Sequence, residues 1–439
     1  MKFSNKEIFF TGLALLAMFF GAGNLIFPPM LGLQSGEQLP RALFGFIVTG
    51  VGLPLLGVTA VAKAGGDLEL LANRVHPLFS KIITTLAILC IGPLLAIPRT
   101  AATTFEVAIV PFLATNSSST QIALVLTTII FFAITLFFVL RPSDILENVG
   151  KILTPLLILF LGLIIFKGVI NPLGSIGASN YTNPFSQGFL EGYNTMDAIA
   201  SVIFGMIIVK GIKDKGVTNN SEIAKVTIIA GIIAAIGLAS IYIGLAYIGA
   251  TTGTTFNGDS HGQMLSYISE ALYGASGKII IALVMSLACL TTAIGLVASC
   301  GEYFSRLTNY RLSYSTVAII TTLISALLAN MGLSKILSVS VPILVNIYPI
   351  IIVLVLLALF HNFFKGKKEV YVFTVCGVLL ILIANIVHSL GASLGINLTF
   401  INQLLSYLPF QEQGLGWVVP ALFAAIFAML GSINKRSQS

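Results

Sequence analysis

The sequence is short of charge. Asp, Glu, Lys and Arg make up 9% of its 439 residues, against about one quarter in ordinary water-soluble domains. It has four cysteines, four histidines and one tryptophan. Cys90, Cys289, Cys300 and Cys376 all fall within or at the end of apolar segments, at spacings that match neither a disulfide framework nor a zinc site. They read as small apolar core residues. His76, His261, His361 and His388 are scattered through separate loops and apolar segments. That leaves an intramembrane enzyme without a nucleophile–base pair or a metal cluster. The formal charge of +7 comes from short Lys and Arg clusters between apolar runs, so there is no basic domain for nucleic acid.

What the chain has in abundance is apolar length. Hydrophobic residues reach 56% and the mean hydropathy is +1.00, in repeated runs of about twenty residues, the length that crosses a bilayer. The composition implies an all-α polytopic membrane protein whose partner is the lipid bilayer. No nucleic acid and no obligate protein partner are inferred. Twelve spans are expected, near 7–33, 41–62, 80–112, 120–140, 150–170, 190–210, 223–250, 278–303, 314–332, 336–360, 370–391 and 412–432. The third is too long for a perpendicular span and should tilt or project. Lys2 and Lys6 precede the first run as in a signal peptide, but that run continues through Pro28 and Pro29 without a small-residue cleavage site, so it is expected to remain as a span. The connection 251–277, with Asp259 and His261, is the longest and is expected to be functional or to carry structure of its own.

Assigning connections alternately to two sides puts 18 of the 23 Lys and Arg on one side, among them Lys2, Arg141, Lys151, Lys435 and Arg436. Arg41, Arg99, Lys167, Lys278 and Lys335 remain. That asymmetry places both termini in the cytoplasm of a cell-membrane protein.

The first span is interrupted by Gly21-Ala22-Gly23-Asn24 and closed by Pro28-Pro29. Two glycines cost a helix interior roughly 2 kcal/mol, and Asn competes for backbone hydrogen bonds. Loosened backbone at bilayer depth is tolerated only where it is buried in protein or lines a wet cavity. The segment therefore reads as a binding site, with close helix packing at the glycines as the plainer alternative. If spans one to five and six to ten are two units, their odd number inverts the second. The sixth span then corresponds to the first, and its weaker interruption is expected at Ala200-Ser201-Val202-Ile203-Phe204-Gly205. Two interrupted segments in equivalent positions point to a transporter's substrate site.

The run Gly-Ala-Gly-Asn-Leu-Ile-Phe-Pro-Pro from Gly21 to Pro29, together with Gly92-Pro93-Leu94-Leu95-Ala96-Ile97-Pro98-Arg99-Thr100, resembles the branched-chain amino acid:cation symporters, the LIVCS or BrnQ family. The resemblance covers nearly the whole chain. It implies a leucine-transporter-like fold over 1–439, with five-helix units at 7–171 and 190–362 and two further helices over 370–432. It also implies sodium-coupled uptake of leucine, isoleucine and valine by alternating access, with Na+ as the co-transported ion. A proton-coupled or other amino-acid carrier of the same fold is the alternative. An ion channel would need a filter or polar pore ring, and none is visible.

An amino acid zwitterion needs donors, acceptors and an apolar wall. Amides from Gly21, Ala22, Gly23 and Asn24 at a helix start supply donors, and carbonyls at Phe19, Phe20, Ala200 and Ser201 supply acceptors. Phe20 and Phe204 supply the wall. Ala288-Cys289-Leu290-Thr291-Thr292 in span eight looks like the sodium-ligand segment of leucine-transporter folds. The hydroxyls of Thr291 and Thr292 with carbonyls of Ala17, Phe20 and Ala288 form the candidate cation set, since hard cations prefer oxygen. Alternatively each Thr bonds its own preceding carbonyl. The seventh span has Thr227, Ser240 and Tyr242 but no Asn, a departure from the second sodium site of related folds. Arg99 would cost about 2.5 to 3.5 kcal/mol at the bilayer centre and should face the bundle. With Glu106 two turns away, it is a candidate for an ion pair or an extracellular gate. Asp197 is a candidate partner for substrate ammonium, a cation or Arg99, or a helix-start residue.

Overall fold

The computed structural model describes residues 3–66, 68–113, 117–140, 145–256, 258, 260–393 and 399–434. Lys2, Arg141, Asp259, Lys435 and Arg436 lie outside these, as does the side chain of Lys151. Every described element is helical, as a chain in lipid must be when its backbone groups can pair only with one another. Seven helical stretches are long and apolar enough to cross a membrane, and a bent pair makes an eighth, among the described residues.

The first span is two helices. Helix α1, Asn5–Phe19, starts on a reciprocal cap in which the Ser4 hydroxyl accepts from the Glu7 amide and the Glu7 carboxylate accepts from the Ser4 amide. It stops because Phe20 (ψ 96°) and Gly21 (φ −128°, ψ −166°) are extended, and α2, Ala22–Ser35, begins immediately after. The second span joins α3, Leu39–Ile47, to α4, Leu53–Lys63, through a wide π turn at Val48–Gly52. After the short α5, Leu68–Ala72, the third span joins α6, Pro77–Leu89, to α7, Ala96–Thr104. Between them Gly92 leaves helical geometry and Pro93 withholds an N–H.

The chain continues with α8, Ser117–Val139, and α9, Ile145–Ile170. Helices α10, Pro184–Tyr193, and α11, Asp197–Asp214, form the bent pair, at 43°. Then come α12, Asn220–Ala250; α13, His261–Tyr273, inside the long connection; α14, Ala275–Leu307; and α15, Tyr314–Ala329. The last are α16, Leu333–Leu359; α17, Lys368–Ser393; α18, Thr399–Ser406; and α19, Val418–Asn434.

One expectation is corrected here. The interruption of the sixth span lies at Asn194-Thr195-Met196, not at Ala200–Gly205, which is continuous helix within α11. The Ala200 amide donates to the Met196 carbonyl at 3.0 Å. The turn is made by Met196, a buried non-glycine residue in the left-handed region (φ 66°), strain of the kind that collects at functional sites. Ser201 points elsewhere, with its hydroxyl on the Ala198 carbonyl and against Gly57 of α4.

Helices α1–α4 and α10–α12 pack together as an inner bundle, with α6–α9 and α13–α16 around it, while α17 and α19 pair at one edge. Several contacts in the bundle are backbone on backbone. A Cβ at Gly249 of α12 would fall 2.7 Å from Pro29 Cα of α2, and one at Gly188 of α10 would meet the Ala42 backbone of α3. Such approach is how helices associate where no hydrophobic force distinguishes protein from lipid. Cys90, Cys289 and Cys300 are buried, whereas Cys376 is on the exposed face of α17.

Candidate functional site

The two breaks meet. Phe19 at the end of α1 lies edge-on to Phe204 of α11 with ring centres 5.4 Å apart. Asn24 in the first turn of α2 bonds Asp197 in the first turn of α11. Around this junction is a cavity lined by Gly21, Asn24, Arg99, Thr195, Asp197 and Phe204, among others.

Local sequence explains the geometry. The Gly21 amide donates to Asn24 Oδ1 at 3.0 Å, so it leaves the α1 register and frees the Ala17 carbonyl of its helical partner. Gly21 lacks a side chain to cap α2, so the positive end of that helix faces the junction. The negative end of α1 and its spare carbonyls face it too. A single interruption thus places a helix start and a helix end at one junction.

The polar centre is a closed network. Asn24 Nδ2 donates to Asp197 Oδ2 at 2.6 Å and to Tyr242 Oη of α12, and Tyr242 Oη donates to Asp197 Oδ2 at 3.0 Å. Asn24 is 1% exposed, Asp197 3% and Tyr242 0%. Tyr242, one of three hydroxyl residues noted in a seventh span that lacks Asn, is the third member of this network. The helix carries two tyrosines, Tyr242 and Tyr247, and nothing in the sequence tells which of them meets the break.

Arg99 of α7 reaches the second break. Its Nη1 donates to the Asn194 carbonyl at 2.5 Å and its Nη2 to the Thr195 carbonyl at 3.4 Å. The guanidinium carbon stands 5.4 Å over the Phe27 ring. Glu106 is not its partner: it accepts from the Ser260 hydroxyl at the start of α13. Seven residues along a helix share a face but lie about 10 Å apart along the axis, which separates the two charges. Phe27 also packs in a T-shaped arrangement with His261 of α13, ring centres 5.3 Å apart.

A second, smaller cavity of about 20 Å³ lies against the end of α1, lined by Ala17, Phe20, Ala288 and Thr291 and by the aliphatic Leu16, Leu157, Ile158, Ile241 and Leu287. That volume holds one water-sized guest. Four of the five candidate cation residues therefore share one pocket. Thr291 donates to the Ala288 carbonyl at 3.0 Å, and Thr292 donates to the Phe20 carbonyl at 3.4 Å while lining the larger cavity. Of the candidate substrate residues, Phe19, Gly21, Ala22, Gly23, Asn24, Ala200 and Phe204 line the larger cavity, Phe20 lines the smaller, and Ser201 lines neither.

Two broken helices meeting at a buried polar junction inside an all-helical membrane bundle are the arrangement of a membrane transport protein. The chain aligns over 98% of its length with the structure of Mhp1, a nucleobase-cation-symport-1 family transporter in a closed conformation with bromovinylhydantoin bound (TM-score 0.65, 14% identity, 93% of that chain). It aligns over 95% of its length with MhsT in complex with L-phenylalanine (TM-score 0.59, 15% identity, 97% of that chain). The fold is leucine-transporter-like.

In sequence, residues 4–435 match the model of the branched-chain amino acid transport protein family, and the chain belongs to that family. It is 43% identical to the branched-chain amino acid permease BraB of Bacillus subtilis over 96% of this chain and 94% of that protein. It is 40% identical to the permease BrnQ of the same organism over 100% and 99%. It is 38% identical to the branched-chain amino acid transport system 2 carrier protein of Pseudomonas aeruginosa over 95% and 94%.

Proposed function

We propose that the protein is a sodium-coupled symporter that imports leucine, isoleucine and valine across the cell membrane by alternating access. The observation that carries the reading is the meeting of the two breaks at one buried cavity with Asp197 beside it and a cation-sized pocket behind it. Membership of the branched-chain amino acid transport protein family supports the substrate class. Asp197 faces the ammonium, Phe19 and Phe204 close on the aliphatic side chain, and the cation sits among oxygens of Ala17, Phe20, Ala288 and Thr291, with Thr292 bracing the Phe20 carbonyl. The larger cavity measures about 30 Å³, so admitting a branched side chain requires Phe19 and Phe204 to part. Loose selection among the three substrates follows, because one methylene is worth about 1 to 3 kcal/mol.

In this reading the helices form twelve spans, with an inverted pair of five-helix units, two further helices and both termini in the cytoplasm. Each sodium crossing at 100 mV contributes about 2.3 kcal/mol, roughly fifty-fold accumulation. The test is labelled leucine uptake into proteoliposomes, with sodium replaced by potassium at clamped pH. Uptake should require sodium, and Thr291→Ala with Thr292→Ala should abolish the ion dependence. Unchanged sodium activation in that double variant rejects the ion site. Uptake driven by a proton gradient without sodium rejects sodium coupling, and Asp197, a buried carboxylate at the junction, is then the proton carrier.

A further inference from the structure

We propose that Arg99 is the receptor for the carboxylate of the transported amino acid. The inference rests on the reading of the larger cavity as the amino-acid site and adds the residue that tells an acid from its uncharged analogues. Arg99 is 4% exposed and lines that cavity. Among the described residues its guanidinium forms no ion pair with a carboxylate, and two neutral carbonyls are its hydrogen-bond acceptors. Its Nε is buried with no hydrogen-bond partner. A buried guanidinium so placed is costly until an anion reaches it. A carboxylate meeting an Arg fork is the strong, planar pairing this group favours.

The neighbouring backbone reinforces the assignment. A Cβ at position 23 would come 2.8 Å from Arg99 Nη2, so Gly23 lets the guanidinium lie against the start of α2. The positive end of that helix and the guanidinium therefore act on the same point. The Gly21 amide at the helix start is occupied by Asn24 Oδ1, and Arg99 adds a charged donor beside the amides that follow it. Asp197, bound by Asn24 and Tyr242, stands as the opposite charge in the same cavity. A zwitterion with its carboxylate on Arg99 and its ammonium toward Asp197 matches both.

The experiment compares leucine with leucinamide, which keeps the ammonium and the side chain but not the carboxylate charge, by displacement of labelled leucine from the purified full chain. Wild type should prefer leucine. Arg99→Gln should lower leucine affinity by about 30-fold or more, leave leucinamide near its wild-type value, and so erase the preference. Arg99→Lys, which keeps the charge without the fork, should keep part of it. If Arg99→Gln weakens both ligands equally, Arg99 only braces the Asn194 and Thr195 carbonyls and the proposal is overturned. If neither variant folds, the wild-type structure with leucine decides: a carboxylate oxygen within about 3.2 Å of a guanidinium nitrogen supports the assignment, and a carboxylate placed elsewhere overturns it. Failure of wild type to bind any branched-chain amino acid would instead sink the reading of the cavity, which distinguishes the two failures.

Discussion

Replacing Tyr242 with Phe removes one oxygen from the centre of the molecule and leaves everything else in place. The ring packs edge-on against Phe46 at 5.2 Å, and Phe keeps that contact. The hydroxyl both donates to Asp197 and accepts from Asn24. Its loss strips one donor from a buried carboxylate, a bond worth about 1.5 to 3 kcal/mol, and leaves one Asn24 N–H without an acceptor, a further 1 kcal/mol or so. The network should therefore lose about 2 to 4 kcal/mol. Because Asn24 Oδ1 also holds the Gly21 amide out of helical register, the loss falls on the break itself. Leucine affinity should drop by roughly 30-fold or more, with a lowered unfolding midpoint in detergent. Tyr193→Phe is the matched control: its hydroxyl is buried without a partner and its ring stacks on Tyr348 at 4.1 Å, so that change should be neutral or slightly stabilising. If Tyr242→Phe behaves as Tyr193→Phe does in both measurements, the network does not hold the site together.

Gly249→Ala places a methyl group against the Pro29 backbone, where no rotamer relieves it, and should cost about 3 kcal/mol or more. Size-exclusion profiles should show loss of monodisperse protein, whereas Gly162→Ala, which meets nothing within 4 Å, should be harmless and gain up to about 1 kcal/mol in helix propensity. His261 lies on α13, and burial together with the charge of Arg99 pushes its imidazole down to about 4. The unfolded chain takes up that proton near pH 6.5, so the native state binds fewer protons between those values. Stability present above pH 6.5 should thus decline as pH falls toward 4. Thermal unfolding of wild type and His261→Gln at pH 7.5 and pH 4.5 checks this, and an identical decline in both would refute it.

The residues that lay within reach of sequence reasoning were those whose chemistry acts locally. Gly21 and Gly23 cost a helix its interior wherever it sits, so the first break was readable from composition and depth alone. The second break lies a few residues before Ala200–Gly205: Asn194 and Thr195 disfavour helix much as Ser201 does, so residue type alone does not choose between the two stretches. The left-handed turn at Met196 follows directly on the two carbonyls that the Arg99 guanidinium holds.

Apolar length, scarcity of charge and the position of two glycines follow from transfer free energies and backbone freedom, which act on each segment alone. On those grounds the amino-acid order determined a helical membrane protein with an opened first span. That Arg99 answers to the second break instead of Glu106, that Tyr242 joins Asn24 to Asp197, and that Ala17, Phe20, Ala288 and Thr291 share one pocket were decided only when helices distant in the chain came into contact. Hydrogen-bond partners and buried charges depend on distances of a few ångströms between separate helices, and only the packed bundle sets those distances.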